Sequence, residues 1–130
     1  MNSSFLLIFR DSNPGIYRTL TPERRQRLVQ EWNAWYDDLA AQGKVQQGHP
    51  LEPGGRVVSG PRGEVVTDGP YAEAKEAVGG YFFLQVADLD EATAIAKHCP
   101  SLPLGLSVEV RPVAEFSPTL RELRGRPAKA

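Results

Sequence analysis

One short stretch restricts the fold of this chain more than any other. Residues 80–86, Gly-Tyr-Phe-Phe-Leu-Gln-Val, are apolar or aromatic at nearly every position, so a strand built from them is apolar on both of its faces. Such a strand belongs at the centre of a sheet that has helices on one side and a second apolar surface on the other. Leaving so many large apolar side chains in water is unfavourable. The sequence therefore predicts a sheet that is covered on both faces.

Four other segments have the composition of strands. Residues 4–10 form a short apolar run, and residues 106–111 alternate apolar with polar side chains as a half-buried strand does. Residues 44–48 are short and polar enough to form an edge strand. Residues 56–67 contain two small strand candidates around a Gly-Pro-Arg-Gly turn, which predicts an inserted β-hairpin.

Capping signals predict where two helices begin. Thr21 is placed as an N-cap, and Gly43 is placed to end the same helix. Asp88 and Glu91 form a capping-box pattern for a second helix, which must end before Pro100. The apolar stripe expected on the first helix consists of Leu28, Trp32, Trp35 and Leu39, widened by Val29, Tyr36 and Ala40.

Apart from the hairpin, the predicted order is strand, helix, strand, strand, helix, strand. This is the βαββαβ pattern of ferredoxin-like α+β folds, which places both helices on one face of the sheet. The other face would carry either Tyr81 with Phe83 or Phe82 with Leu84. We expect a second copy of the chain to cover that face, so the predicted assembly is a homodimer.

Composition excludes several classes of partner. The chain has 130 residues, the size of one domain, and a net charge of −1, which provides no general attraction to nucleic acid or to an anionic membrane. No apolar run approaches the roughly 18 residues of a membrane span, and no basic region precedes the first apolar run. We therefore expect a cytoplasmic protein. The one cysteine, Cys99, and two isolated histidines predict neither a disulfide nor a metal site, and no cofactor is expected.

The segment from residue 65 to residue 81, VVTDGPYAEAKEAVGGY, combines turn residues, charges and two glycines. It resembles the signature of the YCII-related proteins, in particular the DGPF-domain branch, with Tyr71 at the position of the usual Phe. Residues 88–92 and 107–113 are also similar to that family. The resemblance implies a dimeric α+β barrel formed by residues 1–113, and it leaves residues 114–130 as a C-terminal extension, which we expect to be partly mobile.

Asp68 is the first candidate catalytic residue. An Asp before Gly commonly accepts a backbone hydrogen bond in an Asx-turn, which would give Asp68 a structural role. Alternatively its carboxylate lies at the edge of a cleft and acts as a base or orients a histidine. The resemblance implies a His–Asp acid/base pair with the His just after the first strand, but residues 1–48 contain no His. The candidate partner is therefore His49, expected in the loop after the second strand.

Five further residues are candidate ligand-binding residues. Charges between a rigid turn and a double-glycine strand start are well placed to line a cleft, although a solvated charged turn is the simpler interpretation. Cationic side chains of the hairpin are available to hold an anion. The residues expected to bind a ligand are Arg56, Arg62, Glu73, Lys75 and Tyr81.

Two functions follow from these observations. The first is a cofactor-free hydrolase or lyase that acts on a small carboxylated compound and uses Asp68 in acid/base work, with a small anionic or polar ligand near Asp68. The second is a non-catalytic binding or regulatory module associated with a sigma-factor-type transcription regulator, which the resemblance alone implies. Both remain open at this point.

Overall fold

The computed structural model describes residues 2–69 and 77–119, which form a mixed α+β architecture. Two ranges lie outside the described residues. They are residues 70–76, the charged part of the segment 65–81, and residues 120–130, the end of the C-terminal extension. The elements in chain order are β1 (Ser3–Asp11), a first 3-10 helix (Pro14–Thr19), α1 (Pro22–Ala41), β2 (Val45–Pro50), β3 (Gly55–Ser59), β4 (Val65–Gly69), β5 (Ala77–Val86), α2 (Leu89–Ala96), a second 3-10 helix (Leu102–Leu104) and β6 (Ser107–Pro112).

The main sheet has four antiparallel strands in the order β2-β5-β1-β6. The strand after residue 80 therefore lies inside the sheet, as its composition predicts, and β2 is an edge strand, as its polarity predicts. β3 and β4 pair with each other in a separate two-stranded sheet, which confirms the inserted hairpin.

The core lies between the sheet and the two helices. Alternate residues of β1 and β5 are buried on the helix side, and Leu7 and Leu84 are 0% exposed. Leu39 of α1 and Ile95 of α2 belong to the same cluster, so both helices pack on one face. The other face carries the half-buried side chains Leu6, Ile8, Tyr81 and Phe83, and we call these four residues the open face.

The predicted helix signals lie where the sequence places them. The Thr21 hydroxyl accepts a hydrogen bond from the Arg24 N–H at 3.1 Å, and Gly43 follows α1 with a φ of 72°, which favours glycine. Asp88 caps α2 by accepting from the Glu91 N–H at 2.8 Å. The predicted stripe was wrong at Val29, which is 58% exposed because it lies at the outer edge of the helix face that packs on the sheet, and Ala40 is exposed as well.

Two residues that the sequence placed in loops or turns are part of strands in the structure. His49 is in β2, because β2 continues its pairing with β5 as far as Pro50 opposite Gly80. Asp68 is in β4, directly opposite Arg56 of β3. The pairing of β3 with β4 therefore extends further along the chain than the Asp-Gly-Pro turn sequence indicated. In the part of the chain that the structure describes, no helix has both the length and the apolar character needed to cross a membrane.

Candidate functional site

A cavity of about 520 Å³ lies between α1 and the end of the sheet. Its walls come from α1, the ends of β1 and β2, the start of β5, and the segment between α2 and β6. Most of the lining is apolar, and the aromatic side chains in it are Phe9, Tyr17, Trp32, Tyr36 and Phe82. The volume falls within the usual range for sites that bind small molecules.

Three glycines provide the space for this cavity. The pairing of β1 with β5 shifts between Phe9 and Arg10, and Gly79 is the residue left over at that bulge. A Cβ on Gly79 would lie 3.1 Å from Oδ2 of Asp11, and one on Gly80 would lie 2.9 Å from the carbonyl oxygen of His49. Gly48 likewise lies against the Phe82 ring. Gly79 and Gly80 therefore have a physical role, because without side chains they let β5 lie close to the Asp11 carboxylate and to the backbone of β2.

The polar end of the cavity is formed by a short series of side chains. The Tyr17 hydroxyl donates to Oδ1 of Asp11 at 2.9 Å, and the indole N–H of Trp32 donates to the Ser101 hydroxyl at 2.9 Å. Ser101 is 1% exposed, so this bond accounts for a buried hydroxyl. The pair of bonds anchors the first 3-10 helix and α1 at the same end of the sheet.

The electrostatics of this end keep Tyr17 neutral. Burial raises the pKa of Tyr17 to about 12, the nearby Ser101 hydroxyl opposes that rise, and the carboxylate of Asp11 adds to it. Tyr17 is therefore a hydrogen-bond donor to Asp11 at physiological pH. Burial also raises the pKa of Cys99 to about 11, so this 3% exposed residue is present as a thiol and is unreactive.

The aromatic wall consists of rings in edge-to-face contact. The Phe9 ring lies 4.9 Å from both the Trp32 and the Phe82 rings, at interplanar angles of 89° and 88°. Tyr36 packs on Phe82 with a centroid distance of 5.2 Å. Aromatic pairs prefer this geometry, so the contacts stabilise the wall.

Of the predicted catalytic pair, His49 belongs to the lining of the cavity and Asp68 does not. Asp68 is exposed on the hairpin, and His49 is exposed on β2, where its ring lies 5.7 Å from that of Tyr81. Both residues are described, and no hydrogen bond joins them. An acid/base role for Asp68 and His49 therefore stays a prediction without a direct contact behind it.

The predicted ligand-binding residues are distributed over separate parts of the molecule. Arg56 is on β3, and Arg62 lies in the turn between β3 and β4, where its N–H donates to Glu64 at 2.7 Å. Tyr81 is on the open face, opposite to the cavity side of the sheet. Glu73 and Lys75 lie outside the described residues. Among residues 2–69 and 77–119, no group of three His, Cys, Asp or Glu side chains could hold a metal ion.

Sequence reasoning missed Asp11, Tyr17 and Ser101. The available signal was an Asp directly after an apolar strand, at the end of the sheet where the antiparallel partner strand begins with two glycines. Tyr17 lies only six residues after Asp11, but no motif marks it. Ser101 carries no local signal, because the packing of distant segments brings it to Trp32.

Comparison with known proteins identifies the family. A family model described as the YCII-related domain matches residues 4–117. The chain belongs to the YCII-related family. The match begins in β1 and ends after β6, so it includes the whole main sheet, both helices and every described wall of the cavity. Asp11, Tyr17 and Ser101 all lie within this YCII-related domain.

Two individual proteins are similar to this YCII-related chain. The uncharacterized protein R00369 of Rhizobium meliloti (strain 1021) is 42% identical over 55 residues, which is 42% of this chain and 44% of that protein. The match thus spans less than half of the curated relative. The structure of 5-chloro-2-hydroxyhydroquinone dehydrochlorinase from Burkholderia phenoliruptrix AC1100, in complex with 2,5-dihydroxybenzoquinone, is similar with a TM-score of 0.47 and 20% identity, covering 82% of this chain and 90% of that one.

Proposed function

We propose that this YCII-related protein binds a small, mainly apolar organic molecule in the cavity between α1 and the sheet. Asp11 is the acid/base group of a cofactor-free hydrolase or lyase reaction on that molecule. The observation that carries the proposal is a half-buried carboxylate, held by Tyr17, at the end of an aromatic-lined cavity of about 520 Å³.

The chemistry follows from the lone pairs of Asp11. One carboxylate oxygen, Oδ1, accepts the hydrogen bond from Tyr17, and Oδ2, which accepts none from the other described residues, is the oxygen that would meet a bound molecule. A positioned carboxylate in a site with apolar walls is able to take a proton from a ligand and return it later. Tyr17 is a positioning residue in this scheme, because its hydroxyl fixes the rotamer of Asp11.

Blocking the cavity tests the binding proposal. Val29 lies at the rim of the cavity and is largely exposed, so Val29→Phe is expected to fold and to narrow the entrance. A panel of small apolar compounds, at about a hundredfold excess over Kd, should stabilise the unmodified protein by about 2.7 kcal/mol and quench the tryptophan fluorescence, to which Trp32 in the cavity wall contributes. The affinity should be at least about tenfold weaker in Val29→Phe, a change of about 1.4 kcal/mol in binding, so the stabilisation at the same ligand concentration should fall to about half.

Val58→Phe is the matched control for this blocking variant, because Val58 is 63% exposed on the hairpin and does not line the cavity. It should bind like the unmodified protein. Equal binding by Val29→Phe and Val58→Phe would place the ligand outside this cavity.

Replacing each of two carboxylates by an amide, in separate variants, tests the catalytic part of the proposal. Turnover found in a panel of small esters, lactones and compounds with a β leaving group should fall by about a hundredfold or more in Asp11→Asn, because the amide keeps the Tyr17 contact but cannot accept a proton. Asp68→Asn removes the same charge from the exposed hairpin and should retain full activity. Loss of turnover in Asp68→Asn alone would instead favour the sequence-based assignment.

We further propose that the chain belongs to the DGPF-domain branch and forms a ferredoxin-like, dimeric α+β barrel. Support comes from the open face, where Leu6 pairs with Phe83 and Ile8 pairs with Tyr81 to form one apolar strip across the two central strands. At the rim of this strip Arg10 is bound to Glu109 at 2.7 Å. An apolar centre with a charged rim is the usual composition of a specific interface.

A further inference from the structure

The geometry points to a protonated amine on a compact apolar body as the ligand that this cavity selects. This inference rests on the proposed function, because it assigns the chemical class of the molecule bound in the same cavity. The sequence led us to expect a small anionic or polar ligand near Asp68, whereas this inference assigns a cation to a different site, and it follows from the charge, the aromatic walls and the uncovered carboxylate at the polar end.

Charge is the first argument. Asp11 lines the cavity, whereas none of the described lining residues is a Lys or an Arg. His49 is also in the lining, but its ring lies 5.7 Å from that of Tyr81, which is on the open face. The exposed Arg56 and Arg62, which the sequence offered as anion partners, are on the hairpin and not in this wall. A carboxylate or phosphate placed beside Asp11 would meet like charge in a region of low dielectric, which opposes binding, whereas a cation there is attracted.

The hydrogen-bonding groups at the polar end of the cavity also favour a positively charged ligand. Tyr17 already donates to Asp11, and the indole of Trp32 already donates to Ser101, so these two donors are engaged within the protein. The acceptor left beside them is Oδ2 of Asp11, which takes no hydrogen bond from another described residue. An ammonium group has three donors and no acceptor, so it matches such an end.

The aromatic walls are the second argument. Organic cations are attracted to the faces of aromatic rings, most strongly to Trp and Tyr. Trp32 and Tyr36 both line the cavity, together with the Phe9 and Phe82 rings on which they pack. The apolar body of the ligand gains from burial against the same rings, so both parts of the molecule are accommodated.

Gly79 lines the cavity beside the Asp11 carboxylate, and its lack of a side chain leaves that carboxylate uncovered on this side. A Cβ at this position would lie 3.1 Å from Oδ2 of Asp11, which is the oxygen not engaged by Tyr17. The glycine therefore leaves that oxygen approachable from the cavity. Any larger residue at the bulge would occupy the side from which a donor reaches the carboxylate.

Three probes of nearly equal size and different charge test the inference. Benzylamine is a cation at pH 7, benzyl alcohol is neutral and benzoate is an anion, and their binding is measured by isothermal titration calorimetry and tryptophan fluorescence. Because charge-assisted hydrogen bonds are roughly twice as strong as neutral ones, benzylamine should bind about tenfold more tightly than benzyl alcohol, and benzoate should bind most weakly.

Asp11→Asn should abolish the preference for benzylamine over benzyl alcohol while leaving the alcohol affinity within about threefold, since the amide retains the shape of the site. Asp38→Asn is the control for net charge, because Asp38 is exposed on α1 and does not line this cavity. It should keep the tenfold preference.

The outcomes separate this inference from the proposed function. Binding of benzoate or benzyl alcohol as tight as that of benzylamine, or an unchanged preference in Asp11→Asn, overturns the amine assignment and leaves the cavity as a binding site for another class of molecule. Failure of all three probes and of the wider apolar panel to bind overturns the proposed function itself.

Discussion

Replacing Phe82 by alanine is expected to lower the free energy of unfolding by about 3 to 5 kcal/mol. Phe82 is 7% exposed, and its ring contacts those of Phe9, Trp35 and Tyr36 at centroid distances of 4.9, 5.0 and 5.2 Å. Truncation removes the centre of that cluster, and the surrounding rings cannot close the gap. For a domain of this size the thermal midpoint, followed by circular dichroism, should fall by about 10 to 20 °C.

Phe83→Ala is the matched control, because it truncates the same side chain one position later on the other face of β5. Phe83 is half-buried on the open face, so we expect its loss to cost the isolated fold much less. Its expected effect is on assembly: sedimentation at micromolar concentration should give a dimer for the unmodified chain and a larger monomer fraction for Phe83→Ala. Equal destabilisation by the two variants, or a monomeric unmodified chain, would contradict the proposed dimer.

Gly48→Ala is expected to lower the free energy of unfolding by about 1 to 3 kcal/mol, the usual cost of overfilling a packed core. The added Cβ would lie 2.5 Å from Cδ1 of Phe82 and 3.1 Å from Tyr36. The Phe82 ring cannot move away easily, since it also packs against the rings of Phe9 and Trp35. The thermal midpoint should therefore fall by about 5 to 15 °C, and β2 should exchange its backbone amide hydrogens faster.

Gly54→Ala provides the comparison for this substitution. A Cβ on Gly54 has no atom within 4 Å, so the same chemical change should alter the free energy of unfolding by no more than about 0.5 kcal/mol. Equal effects at Gly48 and Gly54 would mean that the close approach of β2 to Phe82 does not matter for stability.

Local signals in the sequence determined where the elements lie. Thr21 and Asp88 cap α1 and α2 as predicted, and the hairpin of β3 and β4 forms where two short strands surround a Gly-Pro turn. These features depend on hydrogen bonds and dihedral preferences within a few residues, so the local sequence is enough to predict them. The apolar character of residues 80–86 also predicted an inner strand, because burial on both faces is the only favourable position for it.

Tertiary structure alone decided which face of that strand meets the helices. Alternation assigns a face only when one set of positions is polar, and both sets in residues 80–86 are apolar, so the choice between Phe82 and Phe83 depended on their partners in β1 and α1. The candidate site depended on distant contacts in the same way. Trp32 and Ser101 meet across 69 residues of chain, and Asp11 reaches the cavity through a bulge opposite Gly79. No local sequence pattern predicts such contacts, because the packing between helices and strands determines them.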